Sequence, residues 1–181
     1  MGRLEPLANE AMTEEQRRVA EAIRSGPRGG MRGPFEAWLR SPGLADRAQE
    51  LGAYCRFGTE LPGDVRELAI LLTGKRWRAQ FEFWAHARLG RQEGLPEGVI
   101  EAIRVGERPE LAREDLRVVY DLVMEHFETT RLSDATYARA VEVLGERGLV
   151  DVIGIVGYYG LVSMTLNVFE VGLPEGEAEP V

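Results

Sequence analysis

Cysteine is almost missing from this chain: Cys55 is the only one among 181 residues. An intramolecular disulfide is therefore excluded, and so is a thiol pair for redox chemistry. A reducing cytoplasm is the expected compartment. Histidine is nearly as scarce, with His86 and His126 alone. Positive charge is outnumbered, 22 Lys and Arg against 30 Asp and Glu, for a net charge of −8. Acidic residues are interspersed with the arginines, so no positive footprint for a nucleic acid is expected. The opening MGRLEPLANEAMTEEQ lacks the apolar stretch of a secretory signal, and Pro6 stands where a myristoylation signal wants Ser or Thr.

Long hydrophobic runs are also lacking, with one exception, LVDVIGIVGYYGLVSMTLNVF from Leu149 to Phe169. Its length suits a membrane span, but Asp151 lies inside it, Asn167 lies near its end, and no basic cluster flanks it. Gly154, Gly157 and Gly160 recur at a spacing of three, which lets another backbone approach closely. The run is read as a buried core or subunit-interface helix, with no membrane partner expected. Its GIVGYYG segment has neither the spacing nor the strand–turn–helix setting of a dinucleotide-binding loop.

What is present is ordinary globular material, 44% hydrophobic and 29% charged, in helical periodicity nearly throughout. Thr13-Glu14-Glu15-Gln16 reads as a capping box opening a helix that Gly26-Pro27 ends. A mobile glycine-rich loop, RGGMRGP, precedes a short helical turn, PFEAWLR. Helices are then expected over about 44–57, over RELAILLTG with a break or kink at Gly74, and from Trp77 to Gln92. Gly94-Leu95-Pro96 is a turn, followed by a short amphipathic helix, PEGVIEAIRVG. A helix from Glu114 to Phe127 comes next. Ser133-Asp134 opens another that ends at Gly148, before the apolar run. The tail LPEGEAEPV is expected to be solvated and disordered. With no strand, repeat or dividing linker, residues 1–181 are expected to form one all-α domain.

The chemistry-bearing stretch is QFEFWAHARLG. On a helical wheel Trp77, Phe81 and Trp84 fall together, and Ala79, Glu82 and His86 fall roughly opposite. Glu82 and His86, at i and i+4, can hydrogen-bond to each other. Such a pair either satisfies itself in a core or forms a proton-transfer site, since a carboxylate fixes the imidazole tautomer and raises its pKa. Two ligands are too few for zinc, and His126, in EHFETT, reads as a helix-end residue, so no metal is expected.

RELAILLTGKRWRAQFEFWAHARLGRQEGLP resembles the core motif of the carboxymuconolactone decarboxylase family, which shares its fold with the AhpD alkylhydroperoxidases. VIEAIRVGERPELAREDLRVVYDL, SDATYARAVEVLGERGLVDVIGIVGYY and LVSMTLNVFEVGLPEG extend the resemblance over roughly 34–176. The peroxidase branch carries Glu-x11-Cys-x2-Cys-x3-His. Counted from Glu67, the cysteine positions hold Ala79 and Glu82, and the histidine position holds His86. A thiol–disulfide cycle needs both cysteines, so peroxidase chemistry is not expected; Cys55, outside the motif, reads as a small buried hydrophobe. The resemblance is instead to the cysteine-less, decarboxylase-like branch. It implies an AhpD-like helical bundle, assembled as a homotrimer or homohexamer and working without metal or organic cofactor.

For that branch the expected activity is cofactor-independent decarboxylation of a small lactone or carbonyl acid. His86 would deliver or relay a proton, oriented by Glu82 and Glu67. Apolar walls from Trp77, Phe81, Phe83 and Trp84 would disfavour a charged carboxylate relative to a delocalised transition state. Arg66, Arg76 and Arg78 are the candidate carboxylate binders, each equally readable as a surface arginine. Tyr158 and Tyr159 can hydrogen-bond a ligand or simply pack. His86→Ala is expected to abolish turnover and leave the fold intact. The alternative is a ligand-binding or isomerase-type protein on the same scaffold.

Overall fold

A computed structural model describes residues 2–27 and 30–181. Arg28 and Gly29, which open the RGGMRGP loop, and Met1 lie outside the described residues. The described residues form eight α-helices and no strand, as the periodicity predicts. Helix α1 (Glu14–Ser25) opens on the expected capping box: Thr13 Oγ1 accepts from Gln16 N at 3.2 Å, and Gln16 Oε1 accepts from Thr13 N at 2.9 Å. Helices α2 (Phe35–Trp38) and α3 (Pro42–Ala53) follow, and a π-turn, Tyr54–Gly58, continues α3.

Helix α4 (Gly63–Arg76) organises the molecule. Ten of its 14 residues are buried, from Asp64 to Gly74 with only Arg66 projecting outward. A helix apolar around most of its circumference needs neighbours on every side. It packs on α5 (Gln80–Gln92), α6 (Glu97–Val105), α7 (Glu114–Thr129) and α8 (Asp134–Val168). Polar side chains on its buried faces are therefore carried into the interior, and Glu67 is such a residue.

Helix ends depart from the sequence reading in instructive ways. Gly74 does not break α4; it lies inside it. The chain turns instead at Trp77–Ala79, where Ala79 N donates to Gly74 O at 2.9 Å and Arg78 N donates to Lys75 O at 3.0 Å. This is a Schellman motif with Arg78, at φ 51°, in the left-handed position that glycine usually fills. Helix α5 consequently begins at Gln80, not Trp77. The expected stop at Gly148 is likewise displaced. Helical structure runs on to Val168, interrupted at Gly145 (φ 70°, ψ 165°), a region open essentially only to glycine.

Helix α8 is long and apolar enough to cross a membrane by length and composition, and 67% of its most apolar window is buried inside the molecule. It leaves an outward stripe of Val150, Ile153, Met164 and Val168, with open space beside Gly154 and Gly157. The C-terminal tail folds back instead of trailing into solvent. Val181 N donates to Gln80 Oε1 at 2.9 Å, and Gln80 Nε2 donates in return to Val181 O.

Candidate active site

Two helices build the centre. Helices α4 and α5 pack side by side at Gly74 and Gly90: a Cβ at Gly74 would lie in ordinary contact, 3.5 Å from Phe83 N, and one at Gly90 3.6 Å from Glu67 Cβ. Across this contact Glu67, on α4, meets Glu82 and His86, one turn apart on α5. All three are buried, at 5%, 4% and 6% exposure. His86 Nδ1 stands 2.6 Å from Glu67 Oε2, a short hydrogen bond in which the ring N–H donates to the carboxylate. On the other side Nε2 is 2.9 Å from Glu82 Oε1, yet that oxygen makes no aligned hydrogen bond. Glu82 thus supports the ring from the Nε2 side, as Glu67 does from the Nδ1 side.

Burial alone would depress the imidazole pKa. The negative charge of Glu67, then that of Glu82, overturns this effect and carries His86 from 6.5 to about 9. At neutral pH the ring is an imidazolium clamped between carboxylates, with a net charge of −1 for the three groups. It is charged to act as an acid, and its orientation is fixed from the α4 side.

Glu82 and His86 open onto a cavity of about 400 Å³, walled by Phe35, Phe81, Trp84, Tyr158 and Tyr159. Arg32, Arg56 and Arg88 also line it, and none of them pairs with a carboxylate among the described residues. Arg88 instead lies 5.2 Å from the Trp84 ring centroid. The Tyr159 ring meets the His86 ring edge-on, with centroids 4.9 Å apart. Burial, and then the charge of Glu82, push the Tyr159 phenol well above 10, so it remains O–H throughout the working range.

The fold thus gathers Glu67, Glu82, His86 and Tyr158 and leaves the other expected binding residues outside. Arg66 turns back to donate to Leu61 O at 2.6 Å. Arg76, at the end of α4, lies 5.9 Å from the Phe127 ring on α7. Trp77 occupies the turn between helices, 41% exposed, and its carbonyl accepts from Asn167. These three flank the motif in sequence but do not line the cavity. Phe83 faces the α4 contact rather than the cavity lining. The arginines that do line it come from the π-turn (Arg56), the loop before α2 (Arg32) and the next turn of α5 (Arg88). Periodicity signals only the last.

His126 sits in the final turn of α7, where its carbonyl accepts from Thr130 N. Cys55 is buried in the π-turn. Among the described residues no group of three or more His, Cys, Asp or Glu is arranged to hold a metal ion. Compared with known proteins, the chain matches no family model and no curated sequence.

Proposed function

We propose that the protein is a cofactor-independent carboxy-lyase of the carboxymuconolactone decarboxylase family, acting on a small lactone or carbonyl acid. The observation that carries the reading is the imidazolium of His86, held between Glu67 and Glu82 at the wall of a cavity lined by three arginines. Decarboxylation without a cofactor needs an electron sink in the substrate and a proton for the carbanion. In γ-carboxymuconolactone the conjugated lactone carbonyl is the sink. The bond to the carboxylate breaks, CO2 leaves, and its electron pair moves toward the carbonyl oxygen. The Nε2–H of His86 then protonates carbon, and water restores the imidazolium. Arg32, Arg56 and Arg88 supply the cations that an anionic substrate needs. Phe81 and Trp84 keep the site apolar. The peroxidase branch is disfavoured because Ala79 and Glu82 stand at the cysteine positions.

The outward stripe on α8 supports assembly into a homo-oligomer on an AhpD-like plan, in the cytoplasm. A monomeric mass by light scattering at micromolar concentration would remove that part of the proposal. A second reading employs the same residues for isomerisation of a carbonyl acid. It is favoured by the Glu82 oxygen without an aligned hydrogen bond, which is placed to take a proton.

The test is the spectrophotometric loss of γ-carboxymuconolactone with concomitant CO2 release. His86→Ala is a poor control, contrary to the sequence expectation. It leaves two buried carboxylates with no cation between them, at a cost of roughly 3–5 kcal/mol. The double variant Glu67→Gln/His86→Gln removes the donor and one carboxylate together and preserves the buried net charge. Loss of about 10²–10⁴ in kcat is expected for a positioned general acid. Wild-type-like turnover in the double variant would end the proton-donor role, and proton exchange without CO2 would favour isomerisation.

A further inference from the structure

We infer that Tyr54 and Asp151 are positioning residues for ligand binding: together they staple the π-turn to α8 and so hold Arg56 at the cavity, where it takes a carboxylate of the ligand. This deepens the proposed reading of the cavity as a site for small acids and rests on it. The starting observation is Asp151, the one acidic residue inside the apolar run of α8, buried at 5% exposure. A carboxylate there is costly unless it is bonded. Its Oδ1 accepts from the Tyr54 hydroxyl at 2.8 Å, which ties two segments 97 residues apart. Tyr54 is 42% exposed, so burial does not fix its ring; this bond does.

The fixed ring holds the π-turn from end to end. Tyr54 opens the turn and Gly58 closes it. A Cβ at Gly58 would lie 2.7 Å from Tyr54 Cδ2 and 3.3 Å from its Cε2, so the ring of the first residue lies against the backbone of the last. A second tie runs beside the first, from Arg147, one turn before Asp151 on α8, to Glu60, just past the π-turn. Arg56 is the midpoint of the segment held in this way. It is half-buried and lines the cavity, and its charge is felt at the Tyr159 phenol, whose ring meets that of His86. A π-turn is rare, one residue wider than an α-turn, and concentrated at functional sites. Relaxation of this one to an α-helix would rotate the side chains it carries by up to about 100°, enough to take Arg56 from the cavity wall.

Calorimetric binding of a butenolide carboxylate and of its methyl ester tests this. The variant is Tyr54→Phe, which keeps the ring over Gly58 and removes only the hydroxyl. Because it leaves Asp151 without a donor, Tyr54→Phe/Asp151→Leu, with both partners made apolar, is measured beside it and should behave alike. Wild type should bind the carboxylate roughly tenfold more tightly than the ester. Arg56→Gln should weaken the carboxylate about fivefold and leave the ester unchanged. Tyr54→Phe should do the same, and combining the two should weaken binding no further, because both act through one guanidinium. A residue that only supported the fold would weaken both probes, or add its effect in full to that of Arg56→Gln, and either result overturns the positioning role. Carboxylate binding at the wild-type level in the Tyr54 variants, or in Arg56→Gln, also overturns it and leaves the acid reading of the cavity standing. If wild type does not favour the carboxylate, that reading fails and the positioning role with it.

Discussion

The raised pKa of His86 is the quantity on which the proposed chemistry turns, and two histidines in the chain make it directly measurable. In the folded protein the imidazole titrates at about 9, against 6.5 for an ordinary histidine. Each pKa unit corresponds to about 1.36 kcal/mol, so the clamp ties about 3 kcal/mol of folding stability to the proton on His86. The folded state holds this proton more tightly than the unfolded state. The contribution is therefore complete below pH 6.5, declines as the pH rises, and is lost as the pH passes through about 9. The assay is a carbon-detected titration of histidine ring signals, paired with urea denaturation from pH 6 to 10. His126→Gln leaves a single signal to follow. The His86 signal should stay at its protonated position through neutral pH and move near pH 9. Unfolding free energy should fall over the same interval, and kcat/KM should decline with it as the acid is lost. Glu67→Gln removes the larger supporting charge and should shift the titration downward. A wild-type His86 that titrates at or below 6.5, or stability that rises between pH 6.5 and 9, refutes the reasoning.

The remaining predictions concern the cavity cations and the backbone. Arg56→Gln combined with Arg88→Gln should raise KM about tenfold or more with a smaller effect on kcat, because these residues hold the ligand in ground and transition states alike; steady-state kinetics at two ionic strengths checks it. Arg78→Gly should stabilise the fold by about 0.5–1 kcal/mol in urea denaturation, since it relieves a left-handed arginine at φ 51° at some cost in unfolded-chain entropy. Gly145→Ala should destabilise by about 1–3 kcal/mol in the same assay, since φ 70° with ψ 165° excludes a side chain.

The comparison of sequence with structure turns on what periodicity encodes. It reports which face of a helix is buried, so the all-α class, the capping box at Thr13 and the shared face of Glu82 and His86 were legible. The contact from Glu67 came from motif spacing and not from physics: nothing in RELAILLTG alone says which helix its glutamate meets. That contact exists because α4 and α5 pack side by side, and which helices pair leaves no periodic trace. Periodicity does not mark a helix end where the left-handed residue is an arginine, as at Arg78. Nor does it choose between two nearby glycines, as at Gly145 and Gly148. The charge at the cavity comes from Arg32 and Arg56, on segments distant in sequence whose approach to α5 leaves no periodic trace.

The clamp itself argues for chemistry over architecture. Buried ion triads contribute little net stability, because desolvation offsets most of the attraction between the charges. The α4–α5 contact does not need them, since Leu68, Leu71 and Phe83 are fully buried there. What apolar residues cannot do is keep a proton on an imidazole at neutral pH beside a cavity. The clamp achieves this with a carboxylate on each side of the ring, and of the two only Glu82 lines the cavity with the arginines. In the proposed reaction this asymmetry has a direction. A ligand carboxylate drawn in by Arg56 and Arg88 comes to lie near Glu82, a like charge. Departure of that carboxylate as neutral CO2 removes the repulsion. The carbon left behind then finds the Nε2–H of His86 facing it, held from the far side by Glu67.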